Sequence, residues 1–155
     1  MKLAMSFVMS VLPLFGAADI SHAQNNNPAR SGTYYEDQAA GTTTSSSILY
    51  LSFAQLPSDK NFNLSNVGCL IRSTPAITQI YMKVGTTSGG QDLQRIAPIS
   101  FTNVVVDLSE HIYSFNSSLY FKIGKSRFPT LLIDSASGTP YIGATCTING
   151  TLSDD

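Results

Sequence analysis

Few residues of this chain have side chains that could carry out chemistry. The chain contains two histidines, His22 and His111. His22 lies in the N-terminal segment, which is expected to be removed, so His111 is the single histidine of the predicted mature chain. His111 follows Asp107 and Glu110, which allows a local acid–histidine pair, but a histidine in a surface loop is the ordinary interpretation. A single histidine rules out a multi-histidine metal centre and leaves one base for any catalytic triad.

Carboxylates are the remaining candidates for catalysis. The mature chain is expected to keep nine of them: Glu36, Asp37, Asp59, Asp92, Asp107, Glu110, Asp134, Asp154 and Asp155. A glycosidase needs two carboxylates about 5 to 9 Å apart across a cleft. Most of these groups stand beside turn residues, where a carboxylate commonly accepts hydrogen bonds from backbone amides. We therefore expect no catalytic residue, no metal and no cofactor.

The first 23 residues are typical of a secretory signal peptide. Lys2 supplies a minimal positive region, residues 3–18 are mostly apolar, and small residues precede a cleavage site after Ala23. A cut after Ala18 is the alternative. A membrane anchor would need about 20 apolar residues, and the apolar run here is shorter. We expect a secreted or periplasmic protein with no transmembrane segment.

The predicted export bears on the redox state of the two cysteines, Cys69 and Cys146. Oxidising compartments favour a disulfide between them, and two buried free thiols are the alternative. Each cysteine falls on the apolar side of its predicted strand, Cys69 with Val67 and Ile71. Because both point into the core, we expect an intradomain disulfide, and this placement would allow the bond to link the two sheets of a sandwich.

Residues 24–47 are rich in Asn, Thr, Ser and Gly and are predicted to form a flexible polar tether ahead of a body at 48–155. Tyr34-Tyr35 is the one apolar island in this segment and could form a short edge strand. In the body, short β-type runs alternate with turn residues. The predicted strands cover residues 48–54, 67–72, 78–85, 101–108, 119–124, 130–134 and 141–152. The continuous apolar run at 101–108 is typical of a strand covered on both faces, and 116–118 are predicted as a turn. This pattern predicts an all-β, two-sheet β-sandwich of jelly-roll or immunoglobulin-like topology.

Two short stretches resemble another group of proteins. The segment Ala144-Thr145-Cys146-Thr147-Ile148-Asn149-Gly150-Thr151-Leu152, the earlier Cys69-Leu70-Ile71 and the signal peptide resemble small uncharacterised exported bacterial proteins. The resemblance covers the predicted body and implies a β-sandwich, and it carries no activity over to this chain.

Four tyrosines are the candidate ligand-binding residues. Tyr50, Tyr81, Tyr120 and Tyr141 all fall on the side of their strands opposite to the apolar set. Outward tyrosine rings can stack on sugar rings or anchor a protein partner. The alternative is ordinary cross-strand packing, because tyrosine is common on solvated strand faces.

Charge excludes one class of function and leaves several open. The net charge is −1, and removal of the leader takes away one lysine and one aspartate, which leaves it unchanged. A chain with so few scattered basic residues has no electrostatic footprint for nucleic acid. Our leading hypothesis is a non-enzymatic exported or envelope-associated interaction protein whose partner is a protein or glycan at the cell surface. The alternatives are a carbohydrate-binding module, a fimbrial-type subunit and a small hydrolase.

Overall fold

The computed structural model of the chain describes residues 24–25, 27–102, 104–136 and 141–154. Eleven β-strands and no helix lie within these ranges. The strands are β1 (Gln24–Asn25), β2 (Ala29–Ser31), β3 (Tyr34–Thr43), β4 (Ile48–Ser52), β5 (Asn61–Ser73), β6 (Ile77–Gly85), β7 (Leu93–Pro98), β8 (Val104–Asp107), β9 (Glu110–Ile123), β10 (Phe128–Ser135) and β11 (Ile142–Ser153). The predicted all-β class is confirmed.

Four nested strand pairs define the topology. β6 pairs with β7, β5 with β9, β4 with β10 and β3 with β11, and every pair is antiparallel. The pairs fall alternately on two sheets, one with the order β4–β10–β6–β7 and one with the order β1–β3–β11–β5–β9–β8, in which β2 also pairs with β3. A ribbon of nested pairs wound over two sheets is a jelly roll. We refer to the four-stranded sheet as the small sheet and to the other as the large sheet.

The core lies between the two sheets, because each sheet turns its apolar side chains inward. Leu51, Leu131 and Met82 form one row across the inner face of the small sheet. The largest fully buried side chains are Tyr35, Leu49, Leu51, Phe53, Phe62, Leu64, Ile71, Ile80, Met82, Ile123, Leu131 and Ile133. These residues come from both sheets, as expected for a sandwich.

Cys69 and Cys146 form the predicted disulfide. Both are buried in the core, as their strand positions predicted. The bond does not link the two sheets, although the inward placement of both residues allowed such a link. Cys69 of β5 stands directly opposite Cys146 of the neighbouring strand β11, with their Cα atoms 4.2 Å apart. The disulfide therefore joins adjacent antiparallel strands within the large sheet, and side-chain parity could not distinguish this arrangement from a link between the sheets.

The prediction of a flexible tether at residues 24–47 is wrong for most of this segment. Residues 34–43 form β3, which pairs with β11 over ten positions. Tyr35, Asp37 and Ala39 point inward and are buried. The rest of the segment includes β1 and β2, which lie along the other edge of β3. The sandwich therefore begins before residue 48.

Two further expectations are wrong in the region around β8 and β9. The apolar run at 101–108 was expected to be covered on both faces, but β8 lies at the edge of the large sheet and all four of its residues are exposed. Residues 116–118, expected to be a turn, lie inside the fourteen-residue strand β9. Asn116 and Ser118 are on the exposed side of β9, where polar side chains contact solvent.

The predicted signal peptide at residues 1–23 lies outside the described residues. Within the described ranges, no helix is long and apolar enough to cross a membrane.

Candidate functional site

The four candidate tyrosines lie on two different faces of the protein. Tyr50 of β4 and Tyr81 of β6 are both on the outer face of the small sheet. Tyr120 of β9 is on the outer face of the large sheet and is 97% exposed. Tyr141 precedes β11, and its hydroxyl group lies over Gly143 of the same sheet. The four residues therefore do not form one site, and only Tyr50 and Tyr81 are grouped.

Tyr50 and Tyr81 flank Leu132 of the central strand β10. Leu132 is the register partner of Tyr50 on one side and of Tyr81 on the other, so the three side chains form one row across the sheet. Neighbouring strands are about 4.8 Å apart, which places the two tyrosine backbones about 10 Å apart. Leu132 is only 7% exposed although it is on the outer face, because a large side chain stands on each side of it. We call this row the tyrosine platform.

The row on one side of the tyrosine platform supplies hydrogen-bonding groups. It consists of Ile48, Asp134 and Gln79, which are again partners across β4, β10 and β6. The Tyr81 hydroxyl group donates a hydrogen bond of 2.7 Å to Oε1 of Gln79. This bond holds the Tyr81 ring toward the amide group of Gln79. A carboxylate and an amide therefore border the platform on this side.

The row on the other side is covered by the loop at 86–92. Ser52, Thr130 and Lys83 form this row. The Ser52 hydroxyl accepts a hydrogen bond of 2.9 Å from the backbone N–H of Gly89, and Lys83 Nζ donates one of 2.7 Å to the side chain of Gln91. The loop lies over this row, and Thr130 is fully buried although it faces outward. The platform is therefore open on the Gln79 side and walled by the loop on the other.

Asp92 fixes the shape of this loop. Its carboxylate accepts hydrogen bonds of 2.8 and 2.7 Å from the backbone N–H and the hydroxyl group of Thr86. These hydrogen bonds lower the pKa of Asp92 below its usual value. Gly85 and Gly90 pass so close that a Cβ on Gly85 would collide with the Gly90 backbone. This close approach requires a glycine at position 85.

The structure places His111 away from the tyrosine platform. His111 lies on β9 opposite Val106 of β8, and its ring stacks on Tyr113 with 6.3 Å between the ring centroids. Glu110 instead faces Arg72, with 3.7 Å between the carboxylate oxygen and the guanidinium nitrogen. Among the described residues, no hydrogen bond joins His111 to Asp107 or Glu110. The acid–histidine pair conceivable from the sequence is thus not formed.

Asp37 is a buried carboxylate whose role the sequence did not reveal. One oxygen accepts a hydrogen bond of 2.8 Å from the backbone N–H of Gln38, and the other accepts one of 2.7 Å from the N–H of Ala54. Ala54 follows β4, so Asp37 connects the large sheet to the small one. Burial raises the pKa of Asp37 above its usual value, and the two N–H donors partly oppose this effect. Because both partners are backbone amides, the geometry favours a structural role.

Leu132 is the member of the platform that sequence analysis missed. It lies within Thr130–Ile133, where both sides of the strand carry apolar or β-branched residues. Such a run signals a strand with neighbours on both faces. Here one face contacts the core and the other contacts the two tyrosines.

Comparison of the chain with protein-family models, with curated proteins and with solved structures finds no match. The class of the protein therefore rests on its own geometry: it is a disulfide-bonded, two-sheet, all-β protein with the jelly-roll strand order. The resemblance to small exported bacterial proteins stays a prediction.

Proposed function

We propose that this protein is an exported, non-enzymatic binding module that recognises a glycan of the cell surface through the tyrosine platform. The observation that carries the proposal is the row formed by Tyr50, Leu132 and Tyr81, which holds two aromatic side chains on one outward sheet face. Of the hypotheses raised by the sequence, the carbohydrate-binding module is the one that this row favours.

The chemistry of the platform suits a sugar ligand. The apolar face of a sugar ring stacks on an aromatic ring, while its hydroxyl groups need hydrogen-bond partners around that ring. Gln79 and Asp134 supply such partners beside the platform. The two tyrosines are about 10 Å apart, a distance longer than one pyranose ring. We therefore expect the ligand to be an oligosaccharide that contacts both rings, rather than a monosaccharide.

Two further features support export and the absence of catalysis. The disulfide consumes both cysteines of the chain, so neither is available as a nucleophile. A stable structural disulfide is typical of a protein that resides in an oxidising compartment. His111 has no acidic hydrogen-bond partner within the described residues, as a triad would require. The fimbrial-type and hydrolase alternatives have no comparable supporting observation, since the eight nested strands complete the jelly roll without a donated strand.

A glycan array probed with the disulfide-bonded mature protein, followed by calorimetry with the best soluble oligosaccharide, tests the proposal. Loss of a stacking ring should weaken binding about tenfold, so we expect this loss for Tyr50→Ala and for Tyr81→Ala. Tyr81→Phe keeps the ring and should retain most of the affinity. Tyr120→Ala is the matched control, because Tyr120 is exposed on the other sheet, and it should bind like wild type.

Two results would overturn the proposal. One is a wild-type protein that binds no glycan on the array. The other is an affinity that depends on Tyr120 and is insensitive to both platform tyrosines. Thermal unfolding of each variant, followed by circular dichroism, distinguishes a loss of binding from a loss of structure.

A further inference from the structure

Among the described strands, β8 forms a free edge of the large sheet, and its composition is unusual for an exposed edge. Val104, Val105 and Val106 are 45%, 63% and 61% exposed. Natural edge strands usually carry charges, proline or bulges that prevent pairing with another chain. The opposite edge of the large sheet is covered by β1 and β2, and the edge strand β7 of the small sheet contains Pro98. β8 has no such protection along its three valines.

The register of β8 shows which of its backbone groups are free. β8 and β9 are joined by the two-residue loop Leu108–Ser109, with Asp107 and Glu110 as the last pair. In a two-residue hairpin, the residues that flank the loop exchange hydrogen bonds, and narrow and wide pairs then alternate. Val105 therefore bonds to β9, whereas the N–H and C=O groups of Val104 and Val106 point away from it. These four exposed groups are available to pair with a further β-strand.

We propose that β8 pairs antiparallel with β8 of a second copy of this chain. With Val105 on the two-fold axis, Val104 of each copy stands opposite Val106 of the other, so all four free groups form hydrogen bonds. The apolar side chains meet apolar side chains across the new junction. The carboxylates of the two Asp107 residues are then four residues apart along the strands, about 14 Å. This exceeds the Debye length of about 8 Å at physiological salt, so their repulsion is screened.

The size of the contact determines how strong the dimer is. Pairing through a four-residue edge buries less than the about 1,200 Å² that is the lower limit of a standard interface. The dimer is therefore reversible, and its population rises with protein concentration. An isologous contact of this kind closes at two subunits and does not propagate into filaments.

The dimer has a consequence for the tyrosine platform, although it does not depend on the proposed function. A two-fold axis perpendicular to the joined large sheets keeps both small sheets on the same side. The two platforms would then face the same direction and could bind one surface together, which raises the apparent affinity for a repetitive ligand.

Sedimentation velocity over a range of concentrations, with the disulfide intact, tests the dimer. Val105→Lys places two lysines opposite each other at the axis, and we expect the dissociation constant to rise at least about tenfold. Val105→Thr is the matched control, since it keeps the β-branched shape without a charge, and it should dimerise like wild type. Val106→Pro removes an N–H that points outward and should also weaken the dimer while the β8–β9 pair remains.

Three results would overturn the proposal: wild-type protein that stays monomeric at every concentration reached, a dimer that neither Val105→Lys nor Val106→Pro weakens, or open-ended assembly beyond the dimer. Circular dichroism of each variant confirms that its fold is unchanged. A protein that binds no glycan could still form the dimer, because the tyrosine platform is on the other sheet.

Discussion

Removal of the disulfide should cost this protein a large part of its stability. The double variant Cys69→Ala/Cys146→Ala eliminates the bond and leaves two small apolar side chains in the core. In the native state little else changes, because β5 and β11 still pair along all twelve positions, the substituted pair included. The main effect is therefore expected in the unfolded chain, which gains freedom when the cross-link is lost.

The sequence separation of the two cysteines determines how much free energy of unfolding is lost with the disulfide. They are 77 residues apart, and a loop of this length corresponds to about 4.5 kcal/mol of chain entropy at room temperature. Both sulfur atoms are buried, so loss of their contacts adds about 1 kcal/mol. For a domain of this size, 4.5 kcal/mol corresponds to a fall in Tm of about 15 °C.

Equilibrium unfolding in urea measures the effect. The double variant should show a lower free energy of unfolding and a larger m value, since its unfolded chain exposes more surface than the cross-linked one. Adding reductant to the variant is the control and should change nothing. A loss below about 1 kcal/mol would refute the unfolded-state reasoning. A large loss without a rise in the m value would show that the disulfide acts on the native state instead.

Two further changes test single features of the fold. Leu108 is 99% exposed at the tip of the β8–β9 hairpin and has a φ of 55°. This conformation costs a residue with a Cβ about 1 kcal/mol, so Leu108→Gly should raise Tm by about 3 °C, whereas Leu108→Ala should not. Equal melting curves for the two variants would contradict this expectation. Because the folded pKa of Asp37 is raised, the folded state takes up a proton before the unfolded state does, so wild-type stability should rise as pH falls through that pKa. Asp37→Asn should lack this component of the pH dependence in denaturant titrations, and parallel pH profiles for wild type and variant would disprove the assignment.

The sequence predicted strands best where large apolar residues alternate with polar ones. β4 and β6 were recognised because residues such as Leu49, Leu51 and Met82 mark the buried side. Beyond Tyr34-Tyr35, β3 was missed because its inward set contains Asp37 and Ala39, which gives no apolar rhythm. Asp37 is needed there to accept an N–H from the other sheet, and that requirement exists only in the folded protein.

Strand neighbours lie beyond what periodicity can predict. The parity of Cys69 and Cys146 correctly placed both in the core, but the same parity fits strands within one sheet or in facing sheets. The tyrosines show the same limit. All four were expected on outer faces, yet only Tyr50 and Tyr81 are grouped, because β10 happens to lie between their strands. Grouping depends on the order of the strands, which is fixed by packing.

The nested ribbon also orders the events of folding. β6 and β7 are close in the chain, whereas the partners in β3 and β11 are roughly 100 residues apart. Short loops close first, so strand pairing is expected to begin with β6 and β7 and to proceed outward through the nested pairs. β11 is then the last strand to pair, between β3 and β5. Cys146 enters with this final strand. When the reduced chain folds, the native sulfur–sulfur bond is therefore expected to form late, because its two sulfur atoms meet when β11 pairs with β5.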